Sequence, residues 1–331
     1  MTPFDTRLAL TRREAALSAG LLALGLAPPA RAQAFPQRPI TLVVPFAAGG
    51  GTDILARALA GFLQAKLGQP CVVENRGGGG GLIGAQGVTK AKPDGHTLLF
   101  VTSTFVTAAS GERQLPYDVV KGFTPIALLG QGPLLVVVNK ETGITTVPEL
   151  IAAAKLSPDG LNYVSAGPGS INHLAGELFC QRTGTRMTHV PYKGSGPATI
   201  DLISGQAQVF FATVPTILGH LKGDKVRLIA VTGRERSKLF PDTPTVMEAG
   251  VPDYEVATWW GIVGPAGMPA DLVALLNRTV NEATAGPALA QRFEEEGAEA
   301  FRGDPAALGV RLETELKRWR EVVRTGGLTL E

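Results

Sequence analysis

The sequence predicts an α/β protein of two lobes joined by two crossings, and three observations lead there. From residue 39 onward, apolar strands feed short loops that open onto amphipathic helices, in repeated alternation. At residues 123–139 that rhythm breaks into two strand-like runs, 123–129 and 134–139, with Gly130-Gln131-Gly132-Pro133 between them, a stretch suited to passing from one domain to another. The pattern of a strand entering a small-residue loop and then a helix recurs in altered form at residues 163–172.

Residues 1–34 are set aside as an export signal: Arg7, Arg12 and Arg13 make a basic start, 15–27 is a short apolar run, and 30–32 and 32–34 are small-x-small cleavage sites. The run is shorter than the about 20 residues that span a bilayer. Arg12-Arg13 after Thr11 fits a twin-arginine signal or an ordinary secretory one. The segment holds four of the 31 basic residues (Arg7, Arg12, Arg13, Arg31) and two of the 29 acidic ones (Asp5, Glu14), leaving 27 of each. A neutral mature chain without a basic tract has no footprint for nucleic acid or an anionic membrane. Cys71 and Cys180, in a compartment that permits disulfides, lie among apolar neighbours and read as buried free thiols; neither follows the cleavage site for lipid attachment, so the exported protein is expected to float free.

In the first lobe, 40–46 is continuous, apolar and β-branched, as a buried parallel strand should be. Ile54, Leu55, Ala58, Leu59, Phe62, Leu63 and Leu67 then fall on one helical face. Strands at 71–74 and 97–101 flank a five-glycine loop, 77–81, and a helix, 82–91. With right-handed crossovers this βαβαβ unit is half of a doubly wound sheet. After a helix at 147–155, opened by Pro148, strands at 162–165, 187–191, 209–212 and 226–232 alternate with helices near 171–182 and 198–205. Residues 255–263 are the return crossing, and helices at 270–282, 288–296 and 305–324 end the chain. The division expected is 35–131 with 257–331 as a discontinuous first domain and 132–256 as the second.

The loop after the first strand, Phe46-Ala47-Ala48-Gly49-Gly50-Gly51-Thr52-Asp53, points unpaired N–H groups and the positive end of a helix dipole beyond the strand, where an anion is the natural occupant. Ser165-Ala166-Gly167-Pro168-Gly169-Ser170, with a helix starting near Asn172, is its counterpart in the second lobe. Ligands of open α/β sheets bind beyond the carboxyl ends of strands. Two such turns facing each other would hold a carboxylate from both sides.

Val44-Pro45-Phe46 through Gly50 and Asp53, Val73-Glu74-Asn75-Arg76, and Pro93-Asp94-Gly95-His96-Thr97-Leu98-Leu99 form the first part of a family pattern. Gly169-Ser170 with His173-Leu174-Ala175-Gly176-Glu177, Val190-Pro191-Tyr192-Lys193-Gly194, Leu228-Ile229-Ala230-Val231-Thr232, Pro244-Thr245 and Trp260-Gly261 continue it in order. Together they resemble the Bug family, the periplasmic substrate-binding proteins of bacterial tripartite tricarboxylate transporters. The resemblance implies a two-lobed Venus-flytrap of the type II periplasmic binding protein fold, a small carboxylate in the cleft, and delivery to membrane subunits. It implies no catalysis, no cofactor and no metal, and the protein is expected to be a monomer. The all-glycine loop 77–81 departs from relatives, which commonly carry proline or alanine there.

By that resemblance Phe46 and Ala47 supply backbone donors or an apolar wall, the alternative being a tight turn, though three glycines including Gly50 exceed what a turn needs. Thr52 and Asp53 complete the loop, with Asp53 read as a cap or first-turn residue because its charge would repel an anion. Ser103 and Thr104 offer hydroxyls to a ligand or to local turn bonds. Ser165, Gly167, Ser170 and Asn172 either face the ligand or cap the helix. His173 and Glu177, at i and i+4, suit a structural hydrogen bond better than a metal, which needs further ligands. Tyr192, Lys193 and Gly194 line the pocket by their backbone, with the Lys193 ammonium at the ligand or solvated at the rim. Trp259 and Trp260 pack against the hinge.

A dinucleotide-dependent enzyme is the rival reading, since Gly79-Gly80-Gly81-Leu82-Ile83-Gly84 satisfies G-x-G-x-x-G. The ribose-binding acid that should end the next strand is missing from 97–104. A ligand-sensing partner of a membrane sensor kinase is the third reading, because closure would present the same surface to either partner.

Overall fold

The computed structural model describes residues 35–49, 51–78, 81–111 and 115–330. The export signal, Gly50, and Gly79 and Gly80 of the glycine loop lie outside the described residues.

The chain opens with β1 (Ile40–Val44), α1 (Gly51–Leu67), β2 (Cys71–Asn75), α2 (Leu82–Thr89), β3 (Thr97–Thr102) and the short α3 (Ser103–Thr107). β1 lies between β2 and β3, parallel to both. α1 packs against later helices as well as the sheet, so Ala56 and Ala60 are buried while Ile54, placed on the inner face from periodicity, is 42% exposed. α3 was not foreseen: Thr102 ends β3 and accepts the Thr104 N–H (3.2 Å), turning a strand end into a helix.

The two expected runs at 123–139 are one strand, β4 (Phe123–Asn139). Its Gly130–Pro133 stretch pairs with β9 (Ala257–Pro265) on one side, and Gly130 and Gln131 pair with β10 (Glu299–Ala300) on the other. The glycines there mark close approach, not a linker: a Cβ on Gly130 would meet the Phe293 ring at 2.8 Å, and one on Gly132 would meet Ala298 Cβ at 2.9 Å. β9 runs antiparallel between β3 and β4, closing the first lobe's sheet.

From Leu134 onward β4 has different neighbours, β7 (Val209–Thr213) and β8 (Val226–Val231), both antiparallel. Beyond β7 follow β5 (Asn162–Ser165) and β6 (Thr188–Pro191), parallel to it. The helices of this lobe are α4 (Val147–Leu156), α5 (Ile171–Thr183), α6 (Ser195–Ser204) and the unforeseen α7 (Val214–Leu221), which Thr213-Val214-Pro215 start directly from a strand. α8 (Ala270–Ala285), α9 (Pro287–Glu295) and α10 (Pro305–Gly326) finish the chain.

The fold is thus mixed α/β in two lobes that share β4. One apolar core runs through both, from Val43, Leu99 and Trp259 to Val136, Tyr163 and Phe211, with Leu312 and Trp319 of α10 along it. A second core of Leu42, Leu59, Trp260, Ile262 and Phe293 fills the other face of the first sheet. Trp259 and Trp260 point to opposite faces of β9, and Trp260 meets Phe293 edge-on at 5.5 Å. Cys71 and Cys180 are buried and free, and burial raises both thiols to about 11. Among the described residues no helix is long and apolar enough to cross a membrane.

Candidate solute-binding site

Parallel strands deliver their helices at a common edge, and each lobe presents one such edge. In the first, β1 ends at Val44, Pro45 is buried, Phe46 is half-buried, and Ala47, Ala48 and Gly49 are exposed. Asp53 is buried at the start of α1 and is committed within this loop. Its Oδ2 accepts the Gly49 N–H and Arg57 Nε, both at 2.9 Å, and its Oδ1 accepts Asn75 Nδ2 at 2.9 Å. Asn75 Nδ2 also reaches the Phe46 carbonyl at 3.2 Å, so β2 holds the loop from the side. Burial alone would raise the Asp53 pKa, but the bonds from Arg57, Gly49 and Asn75 outweigh it and keep the carboxyl below its ordinary value. Thr52 is half-buried beside it.

A second carboxyl stands at the same helix start, and nothing in the motif pattern announced it. Glu296, directly after α9, is buried with its Oε1 2.6 Å from where a Gly51 Cβ would lie. Burial, helped by the charge of Glu295, lifts Glu296 to about 7. The sign of its linkage follows. Between the ordinary 4.5 and about 7 the folded protein holds a proton that the unfolded chain has lost, so this contribution to stability is complete below pH 4.5 and disappears as pH rises through 7. Urea unfolding of wild type should therefore lose on the order of 2 kcal/mol from this group between pH 5 and 8. In Glu296→Gln that part of the slope should vanish, and an unchanged slope would assign it elsewhere.

At the end of β3, Ser103 turns inward: its Oγ donates to Thr258 Oγ1 at 3.2 Å, and both residues are buried. The expected ligand hydroxyl is thereby tied to β9, while Thr104 beside it is half-exposed. Thr258 was missed because nothing in its local sequence sets it apart.

The second lobe gathers three helix starts on one edge, where β5, β6 and β7 give way to α5, α6 and α7. Tyr192 N–H donates to the Ser165 carbonyl and Gly194 N–H to the Ala166 carbonyl, both at 3.1 Å, so the loops 165–170 and 192–194 form one surface. Most of the polar side chains predicted here are engaged within it. Ser170 Oγ donates to the Gly167 carbonyl (2.7 Å) and accepts the His173 N–H (3.3 Å), which makes it the cap of α5. Ser165 Oγ accepts the Gly167 N–H at 3.1 Å. Asn172 Nδ2 donates to the Phe211 carbonyl at 2.6 Å, turning that side chain toward β7. The Tyr192 hydroxyl donates to Asp201, which with burial pushes the phenol up to about 12. Lys193 is exposed, and Gly194 takes a left-handed φ of 106° ahead of α6. Thr213 and Thr216, whose hydroxyls lie 2.6 Å apart at the start of α7, occupy the same edge and were not foreseen.

Among the described residues the lobes approach each other near these edges at Gly169 and at Gly297. A Cβ on Gly169 would stand 3.1 Å from Ala108 Cα just after α3, and one on Gly297 would stand 2.7 Å from Val214 at the head of α7. His173 Nε2 is 3.9 Å from Glu177 Oε1, and no group of three or more His, Cys, Asp or Glu suited to a metal occurs among the described residues.

Two lobes sharing long strands, with strand-to-helix turns gathered on an edge of each, are the architecture of a solute-binding receptor. A model of the tripartite tricarboxylate transporter family receptor matches residues 55–328. The chain is 36% identical over 324 residues to protein BugT of Bordetella pertussis (strain Tohama I), covering 97% of this chain and 99% of that one. Among solved structures, Rpa4515 of R. palustris with adipate superposes with a TM-score of 0.82 at 37% identity, covering 89% of this chain and 99% of its own. The periplasmic binding protein BugD superposes with a TM-score of 0.79 at 33% identity, covering 88% and 99%. The chain belongs to the tripartite tricarboxylate transporter receptor family, whose members bind solutes for such transporters.

Proposed function

We propose that this receptor captures a small organic carboxylate in the periplasm by closing its two lobes, and that it passes the solute to the membrane subunits of a tripartite transporter. The observation that carries the reading is the convergence of the α5, α6 and α7 starts on one edge of the second lobe, together with the exposed Ala47–Gly49 turn at the strand-to-helix edge of the first. The domains are taken as 35–131 with 257–331, and 132–256. The first lobe contributes the backbone of Phe46, Ala47 and Gly50, with Thr52 and Thr104 beside it, while Asp53 and Ser103 hold these elements in place. The second contributes first-turn N–H groups of α5 at Asn172, the backbone around Gly167 and Gly194, and Lys193 at the rim. Ser165, Ser170 and Tyr192 shape this surface through the bonds described above.

Magnitudes support such a site. Hydrogen bonds to a charged group contribute about 1.5–3 kcal/mol each, and a helix N-terminus adds roughly 0.3–1 kcal/mol at exposed positions. Four to six such bonds, offset by the several kcal/mol that association costs, reach the roughly −8 kcal/mol of a micromolar complex. The rest of the reading is a non-enzymatic, monomeric protein. A sensor kinase would engage the same closed form.

The test is calorimetry and thermal shift with adipate, citrate and benzoate, followed by Lys193→Ala. At least one carboxylate should raise the melting temperature, and Lys193→Ala should weaken it by less than about tenfold, as for a solvent-screened charge. If no carboxylate binds, while a nicotinamide or flavin cofactor stabilises the fold, the enzyme reading replaces this one.

A further inference from the structure

Beneath the second-lobe loop lies a polar cluster, buried at His173 and Tyr163 and half-buried at His189 and Glu177, that solute binding as described does not use. His173, in the first turn of α5, and His189, on β6, stack face to face with ring centroids 3.8 Å apart and planes 8° from parallel. Tyr163 of β5 stacks on His189 at 5.0 Å and sends its hydroxyl to Glu177 Oε1. Both imidazoles bond outward to the loop. The Gly169 N–H donates to His173 Nδ1 at 3.2 Å. His189 Nε2 lies 2.7 Å from Ser165 Oγ, the atom that receives the Gly167 N–H.

A backbone N–H only donates, so His173 Nδ1 is bare and the ring proton sits on Nε2, on the side of Glu177. Close parallel stacking suits two neutral rings, since two imidazolium ions at this separation would repel. Burial pulls His173 down to about 3, with His189 adding to the effect, and pulls His189 down to about 4. The loop above turns on two glycines: Gly167 and Gly169 adopt left-handed φ values of 126° and 72° around an exposed Pro168.

We infer that His173 and His189 are positioning residues that hold the 167–170 loop from below, through Gly169 and Ser165, so that the first-turn N–H groups of α5 that follow it, at Asn172, are set before the solute arrives. The inference rests on the reading that this loop faces the solute. Its physical content is preorganisation: order supplied by the fold is not charged against binding. It also means that the Gly169 N–H is withdrawn from the ligand.

Four variants separate bonding from packing. Asparagine places Oδ1 near the position of Nδ1, and glutamine places a polar atom near that of Nε2, whereas leucine fills space without an acceptor. In ligand-free protein, amide exchange at Gly169 and the long-range proton–nitrogen spectrum of the histidines are measured; adipate binding is then followed by calorimetry. His173 should appear as the neutral Nε2–H tautomer. His173→Leu should speed Gly169 exchange and weaken adipate binding, each about tenfold, as expected for loss of one hydrogen bond. His173→Asn should restore both to within about threefold. His189→Leu should weaken adipate binding similarly, and His189→Gln should recover most of it. A protonated Nδ1, unchanged Gly169 exchange in His173→Leu, or equal defects in Leu and Asn would overturn the inference. Failure of wild type to bind adipate, citrate or benzoate would sink the carboxylate reading instead, and the tautomer and exchange results would still decide this one.

Discussion

Replacing Thr232 with valine is expected to destabilise the protein by about 3 kcal/mol and to shift the balance between open and closed lobes. Thr232 is fully buried where the two crossings come together. Its Oγ1 accepts the Leu134 N–H at 2.8 Å, at the point where β4 changes partners, and donates to the Val256 carbonyl at 2.6 Å, just before β9. Its backbone repeats the tie, with the Thr232 N–H on the Leu134 carbonyl and the Val256 N–H on the Thr232 carbonyl, both at 2.9 Å. Valine keeps the shape and removes only the hydroxyl, leaving a buried donor and a buried acceptor without it. Each such group costs about 1–3 kcal/mol. Serine keeps the hydroxyl and loses a methyl, so Thr232→Ser should cost less, about 1 kcal/mol. Urea unfolding measures the first effect, and small-angle scattering with and without adipate measures the second. Equal stability of the valine and serine variants would show that the hydroxyl is not what joins the crossings.

Asp53→Ala should cost about 2–3 kcal/mol and weaken solute binding at least tenfold, because the first-lobe loop loses its internal acceptor. The Gly49 N–H, Asn75 Nδ2 and Arg57 Nε all lose their bonds to the one carboxylate. Arg57 is half-exposed and regains water, so most of the loss falls on Gly49 and Asn75. Since the Asp53 pKa lies below its ordinary value, its contribution is complete above about pH 4 and fades as the pH falls through the lower folded value. Asp53→Asn retains one acceptor oxygen and should fall between wild type and alanine. Tighter anion binding in Asp53→Ala would mean that the charge opposes the ligand more than the carboxylate orders the loop.

Much of the fold was legible because its signals are local. Continuous β-branched runs such as 40–44 and 134–138, and the periodic apolar face of α1, need no knowledge of distant residues. Gly130-Gln131-Gly132-Pro133 misled for an equally physical reason: glycine suits a flexible link and also a place where another backbone comes close. Only β10 and Ala298, far along the chain, show that the second holds. Ile54 misled because α1 packs on α8 and α9 as well as on the sheet, so its buried arc runs through Leu55, Ala56, Leu59, Ala60 and Leu63 and leaves Ile54 outside it.

The candidate site divides in the same way. Sequence alone determined that small-residue turns and helix starts occur after the strands at 40–46 and 162–165, since those depend on neighbouring residues and on the direction of parallel strands. The tertiary structure decided which polar atoms are already engaged inside the protein. Ser103 meets Thr258, Asn172 meets Phe211, Tyr192 meets Asp201, and Glu296 arrives from after α9 to stand at Gly51. A hydrogen-bonding group has the same chemistry whether its partner is a solute or another part of the chain. Which one it faces depends on contacts between residues far apart in sequence, and those exist only once the lobes have formed.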